Sequence, residues 1–216
     1  EKYDCLDGRE KAFIKRVSEG TVERRIQIDY VLDRFSKIGT AKMKPLIRAL
    51  LRMSAYQILF MEHIPDAAVC NEAVKLAKKR RFQSLQGYVN GVLRAVARGK
   101  GTIAYPDRRE ERTAFLSVCC SVPAWLVEHL SGAYGEEQCE RIVQSLLVRR
   151  PVCVRLQETL PEAERERLLE TWRRTGVKAK RHPFLPYAVE VEKSEGIRNL
   201  AGYGQGAFVV QDISSM

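Results

Sequence analysis

Apolar positions in the first half of the chain recur at helical spacing. Residues 8–36 carry Phe13 and Val17, then Ile28, Val31, Leu32 and Phe35, with Gly20 as a weak point between the two groups. Residues 44–61 give the strongest pattern. Leu46, Ile47, Leu50, Leu51, Ile58 and Leu59 leave few polar positions, which predicts a central helix with all six side chains buried. Pro45 suits its first turn, where a missing N–H costs nothing. Pro65-Asp66 restarts a helix, with Asp66 as its expected N-cap. It runs through Ala73, Val74 and Ala77 and ends in Lys78-Lys79-Arg80-Arg81. A further helix lies around 88–97, closed by Gly99 and Gly101.

The second half reads differently. Two glycines, Pro106 and alternating charges make 99–112 a linker, and helices are predicted at about 123–131 and 136–148. The character changes at Arg150-Pro151. Val152, Val154 and Leu156 alternate as a strand, 161–174 reads as a helix stopped by Gly176, and 177–180 and 187–191 read as short strands. The expected fold class is mainly α: a helical bundle, a helical connector and a small α/β subdomain.

Charge sharpens this division. The net charge is +10, and residues 1–100 hold 21 Lys/Arg against 11 Asp/Glu while residues 101–216 hold 16 of each. A basic excess confined to one half points to a polyanionic partner, and no apolar run of the roughly 18 residues a membrane span needs is present. On the 44–61 helix Lys44, Arg48 and Arg52 form a stripe at i, i+4, i+8 with no acid between them. Lys75, Lys78, Lys79, Arg80 and Arg81 cluster on the next helix. These eight residues are the candidate contacts to nucleic acid.

Other chemistry finds less to stand on. The six cysteines show no C-x-x-C pair and, with His63, His129 and His182 scattered, form no metal-ligand pattern; unpaired thiols point to a reducing, cytoplasmic compartment. Cys119-Cys120-Ser121 reads as a packed helix end. Gly202-Tyr203-Gly204-Gln205-Gly206 reads as a turn before a strand, because no strand-to-helix context surrounds it. Trp125 and Trp172, at helical spacing from Leu and Val, are expected in cores, and Asn71 and Asn90 as buried amides bonded to neighbouring backbone.

Four segments in order carry a resemblance: Met43-Lys44-Pro45-Leu46-Ile47-Arg48 with Ala55-Tyr56-Gln57-Ile58-Leu59-Phe60, then Ile64-Pro65-Asp66, Asn71-Glu72-Ala73-Val74-Lys75-Leu76-Ala77, and Gly87-Tyr88-Val89-Asn90-Gly91-Val92-Leu93-Arg94. Together they resemble the antitermination factor NusB as it occurs fused to bacterial small-subunit ribosomal RNA (cytosine-C5) methyltransferases. Pro123-Ala124-Trp125-Leu126-Val127 with Tyr134-Gly135, and Val154-Arg155-Leu156, are similar to the segments that follow in those enzymes. Gln157 stands where the family usually has Asn. Gly206 to Met216 is similar to the signature opening their catalytic domain.

The resemblance implies the following organisation: residues 1–100 a NusB-like RNA-binding domain lacking its first helix, 101–148 a linker and connecting helices, 151–205 a small α/β subdomain, and 206–216 the start of a catalytic Rossmann-like domain absent from this chain. Residues 211–216 are then expected to be a loosely docked tail. The implied enzyme uses S-adenosylmethionine and a cysteine nucleophile to methylate small-subunit ribosomal RNA. Its cofactor loop and cysteine motifs are not found here, so the resemblance assigns the fragment no catalytic residue, metal or bound cofactor. Its implied partners are ribosomal RNA and the catalytic domain of the same protein. The competing reading is a non-catalytic antitermination-type module, which has no use for residues 123–216.

Overall fold

Asp7 and Glu10 cap the first helix reciprocally: Asp7 Oδ1 accepts from the Glu10 N–H at 2.7 Å, and Glu10 Oε2 accepts from the Asp7 N–H at 3.0 Å. The structure, a computed structural model, describes residues 5–148, 151–192 and 196–216. The change of character at Arg150-Pro151 therefore lies partly outside the described residues. The chain divides into two compact units, Glu1–Val148 and Arg149–Met216.

The first unit is helical: α1 (Gly8–Glu23), α2 (Arg25–Phe35), α3 (Pro45–Phe60), α4 (Asp66–Lys79), α5 (Gln86–Gly99), α6 (Arg112–Cys120), α7 (Ala124–Tyr134) and α8 (Glu136–Ser145). Its main core joins Ile28, Val31 and Leu32 of α2 to Ile47, Leu50, Leu51, Ala55, Tyr56 and Ile58 of α3, and to apolar faces of α4 and α5. The first helical stretch breaks at Arg24, not at Gly20. Gly20 is a packing residue instead. A Cβ there would sit 2.1 Å from Tyr56 Cζ, so the bare backbone of α1 is what lets the tyrosine ring lie against it.

Two local expectations change. Leu46 is 36% exposed and Leu59 half-buried, because successive helical residues point 100° apart and α3 is not enclosed on every side. Asp66 is the first residue of α4 rather than its cap, and its carboxylate pairs with Lys100 at 2.8 Å. The 99–112 linker is itself pinned at several points. Tyr105 stacks on Tyr30 of α2 (ring centroids 5.9 Å apart, 12° between planes), Tyr30 Oη donates to the Ala104 carbonyl at 2.8 Å, and Arg108 pairs with Glu140 of α8 at 2.6 Å.

Helices α6 to α8 close around a smaller core of Leu116, Cys120, Val122, Val127, Cys139 and Val143. Glu140, buried at its edge, is satisfied by Arg108, by Arg112 at 2.8 Å and by Gln144 at 3.1 Å, as a buried carboxylate requires. Among the described residues no single helix is long and apolar enough to cross a membrane, and α6 with α7 reaches that length only across a 117° bend.

The second unit is a four-stranded antiparallel sheet in the order β2-β3-β1-β4, from β1 (Val152–Leu156), β2 (Lys178–Arg181), β3 (Ala188–Glu192) and β4 (Phe208–Val210). Helix α9 (Glu162–Arg174) supplies Leu169 and Trp172 to a core with Val154, Leu156, Val189, Val191 and Phe208. Alternation along β1 puts Val154 and Leu156 on this face, as the sequence pattern predicts. The Trp172 indole N–H donates to the Ala201 carbonyl at 3.0 Å, and its ring meets Phe208 edge-on at 5.0 Å. Residues 206–216 are built into this unit. Val154 pairs with Val210 and Leu156 with Phe208, the Gln211 N–H donates to the Cys153 carbonyl at 3.1 Å, and Asp212 Oδ1 caps a final 3-10 turn through the Ser214 N–H at 2.9 Å. The expected loose tail is thus tied down: Phe208 is apolar enough to complete the core, and the strand it heads brings the last residues with it.

Two glycines separate packing from conformation. Gly20→Ala drives a methyl into the Tyr56 ring and is expected to destabilise the chain by about 2–3 kcal/mol. Gly87→Ala in α5, where a Cβ meets nothing within 4 Å, is expected to stabilise it by about 0.5–1 kcal/mol. Urea denaturation followed by helical circular dichroism measures both.

Candidate nucleic-acid interface

The structure breaks up the stripe on α3. Arg52 reaches across to α2 and grips Asp29 with both arms, Nε to Oδ1 at 2.7 Å and Nη2 to Oδ2 at 2.6 Å, each side chain less than a quarter exposed. Its charge is spent on holding two helices together. The acid lies 23 residues earlier, so inspection of α3 alone could not reveal it. Arg48 is half-buried and turns the same way, donating from Nη1 to the Thr40 carbonyl at 3.4 Å. Lys44 is exposed and goes elsewhere: its ammonium lies 5.6 Å from the centre of the Phe82 ring.

That contact places Lys44 beside the end of α4, whose geometry explains the rest. The Phe82 N–H donates to the Ala77 carbonyl at 2.9 Å and the Arg81 N–H to the Lys78 carbonyl at 3.0 Å, the paired bonds of a Schellman turn. Arg81 at its left-handed position has φ 64°. The turn folds Phe82 back toward the start of α3 and leaves Lys78, Lys79, Arg80 and Arg81 exposed around the helix end. None of those four has an ion-pair partner among the described residues. Lys75 is paired with Glu72 at 2.7 Å, but both are mostly solvent-exposed and such a pair contributes little. Beside the cluster an open apolar groove of about 300 Å³ is lined by Leu46, Ala49, Leu50, Met53, Leu76 and Arg80.

Of the eight candidate contacts, Lys44, Lys78, Lys79, Arg80 and Arg81 therefore come together at the junction of α3 and α4. Lys75 lies farther along α4, Arg48 is turned inward, and Arg52 is engaged. The arrangement can hold several phosphate groups at once, but offers no fixed set of donors and acceptors that would read bases.

The remaining motifs resolve as structure. Cys119 and Cys120 end α6, and Ser121, left-handed at φ 55°, accepts the Ile26 N–H on its Oγ at 3.0 Å. Burial raises both thiols above their ordinary value, the opposite of what a nucleophilic thiolate requires. In the glycine turn the Ala207 N–H bonds the Gly202 carbonyl at 3.0 Å, and a Cβ on Gly202 would lie 2.9 Å from Ala207 Cβ. It is a tight turn leading into β4. Trp172 is 1% exposed, as expected, but Trp125 is 67% exposed, because the small core of α6 to α8 is filled without it. Asn71 is exposed and Asn90 half-buried, and neither amide side chain has a protein partner among the described residues, so the reading of both as buried, bonded amides does not hold.

Burial also raises the thiols of Cys70 and Cys139. A thiol held protonated in the fold but free to ionise in the unfolded chain makes stability fall as pH rises past the ordinary thiol value, about 8.5. At pH 8 iodoacetamide is therefore expected to label exposed Cys5 within minutes and to spare Cys70, Cys120 and Cys139 until denaturant is added. Peptide mass spectrometry reads the order, and early labelling of Cys120 would contradict the packing described.

Comparison with known proteins matches this geometry to two families. Residues 1–98 match the NusB family, and residues 122–198 match the Methyltr_RsmF/B-like ferredoxin-like domain. The chain is 32% identical over 215 residues to the probable ribosomal RNA small subunit methyltransferase B of Bacillus subtilis (strain 168), covering 100% of this chain and 47% of that protein. It is 28% identical over 211 residues to ribosomal RNA small subunit methyltransferase B of Salmonella paratyphi B, covering 96% and 46%. The chain thus spans about half the length of these curated relatives. The crystal structure of PH0851 shares the fold, with a TM-score of 0.69 at 18% identity over 99% of this chain and 47% of that one. The chain therefore joins a NusB family domain, residues 1–98, to an RsmF/B-like ferredoxin-like domain, residues 122–198, and is similar over its whole length to about half of ribosomal RNA small subunit methyltransferase B.

Proposed function

We propose that this chain is the RNA-binding and RNA-positioning part of an S-adenosylmethionine-dependent methyltransferase acting on C5 of a cytosine in 16S ribosomal RNA, in the cytoplasm. The observation that carries the reading is the cluster of Lys44, Lys78, Lys79, Arg80 and Arg81 where α3 begins and α4 ends, within residues 1–100, which hold 21 Lys/Arg against 11 Asp/Glu. Cations without acids beside them attract a polyanion, and phosphate contacts orient it without choosing sequence. The relatives' names supply the kind of polyanion, small-subunit ribosomal RNA. Binding folded RNA here would raise the concentration of one unpaired cytosine at a catalytic site, a positioning role. A free-standing antitermination module would not account for residues 122–198, which match a methyltransferase-type domain.

S-adenosylmethionine and the catalytic cysteine are assigned in this proposal to a further domain of such a protein. The residues in hand do not fit the cofactor. The glycine-rich turn leads into the edge strand of an antiparallel sheet, whereas such cofactors sit where a parallel strand turns through glycines into a helix.

Reversing Lys78, Lys79 and Arg80 to Glu together is expected to weaken binding of a 16S RNA fragment about a hundredfold or more near physiological salt, whatever its sequence, and to flatten the salt dependence by about three phosphate contacts. Arg52→Gln is expected to lower stability by about 1–3 kcal/mol and leave the salt slope unchanged. Fluorescence anisotropy across a salt series measures both, and an unaltered slope in the triple variant would refute the reading.

A further inference from the structure

Among the described residues two that are not glycine adopt left-handed backbone, Arg81 at φ 64° and Ser121 at φ 55°. Both hold the same place in the same device. Val122 N–H to Ser117 carbonyl and Ser121 N–H to Val118 carbonyl repeat at the end of α6 the two bonds made at the end of α4. Glycine takes this position without steric cost, and any Cβ there is unfavourable. At Ser121 the reason for a side chain is visible, since its Oγ receives the Ile26 N–H and closes the start of α2 across 95 residues. Glycine could not do that.

At Arg81 nothing among the described residues gives such a reason. The residue is exposed, and its side chain makes no hydrogen bond, ion pair or ring contact among the described residues. Lys78 and Lys79 already supply cations to the last turn of α4, so the helix dipole does not require another. Three neighbouring cations only add repulsion. We infer that Arg81 is a phosphate-contact residue of the RNA interface, kept at this turn against its backbone preference because its guanidinium is used outside the chain. The inference rests on the RNA reading and deepens it: one residue serves binding at the expense of folding. A planar guanidinium grips a phosphate through two parallel hydrogen bonds, which lysine cannot reproduce.

The test uses the full 216-residue chain, a mixed-sequence fragment of 16S ribosomal RNA, and Arg81→Gly, Arg81→Lys and the Lys78/Lys79/Arg80 triple reversal. Arg81→Gly is expected to raise Tm by about 2–3 °C. It should weaken RNA binding about fivefold at 0.15 M salt and reduce the salt slope by about 0.9. Arg81→Lys should keep the slope while losing part of the affinity. If Arg81→Gly gains stability and binds RNA as before, or if it loses stability, the inference is wrong. If the triple reversal also binds like the unaltered chain, the failure belongs to the RNA reading itself.

Discussion

A sixteen-residue helix that is apolar around most of its circumference cannot face water, and the helical unit is arranged to satisfy that constraint. Helix α3 buries Ile47, Leu50, Leu51, Ala55, Tyr56 and Ile58, and no single neighbour could cover so broad a surface. Helices α1, α2, α4 and α5 surround it. The fit of Tyr56 into the space left by Gly20, and the grip of Arg52 on Asp29, fix how two of them sit. What α3 leaves exposed near its start includes Pro45, Leu46 and Ala49, and the end of α4 lies there with its cations.

The same packing divides the charges into two kinds. Buried or half-buried carboxylates need partners, and arginines supply them: Arg52 for Asp29, Arg108 and Arg112 for Glu140. In the second unit Arg181, itself only about a quarter exposed, pairs with the exposed Glu162 and Glu166. Those arginines hold structure together. Among the cations left without an acid, Lys44 and Lys78 to Arg81 lie together where α3 begins and α4 ends. The net excess of +10 falls within residues 1–100, where this cluster lies.

Much of this was legible because it is local. Helical periodicity located the apolar helices, alternation located β1 and β3, and the basic run at 78–81 is visible in any reading of the chain. What was not legible depends on residues far apart in sequence. The stripe Lys44, Arg48 and Arg52 looked uniform until Asp29 took Arg52 and Phe82 drew Lys44 toward α4. Gly20 resembled a helix breaker because the ring it accommodates lies 36 residues later. Trp125 and Trp172 have similar apolar neighbours in sequence, yet one core had room for an indole and the other did not. The order of motifs identified the domains before any coordinate, since a family pattern records long-range packing that periodicity cannot.

The central claim is that RNA lies on the junction of α3 and α4. Photochemical cross-linking of the unaltered chain to a 16S ribosomal RNA fragment, with the adducts mapped by mass spectrometry, tests it most directly. The account predicts adducts concentrated on peptides containing Lys44 and Lys78 to Arg81. Adducts confined to residues 151–216, or scattered evenly over the chain, would contradict it.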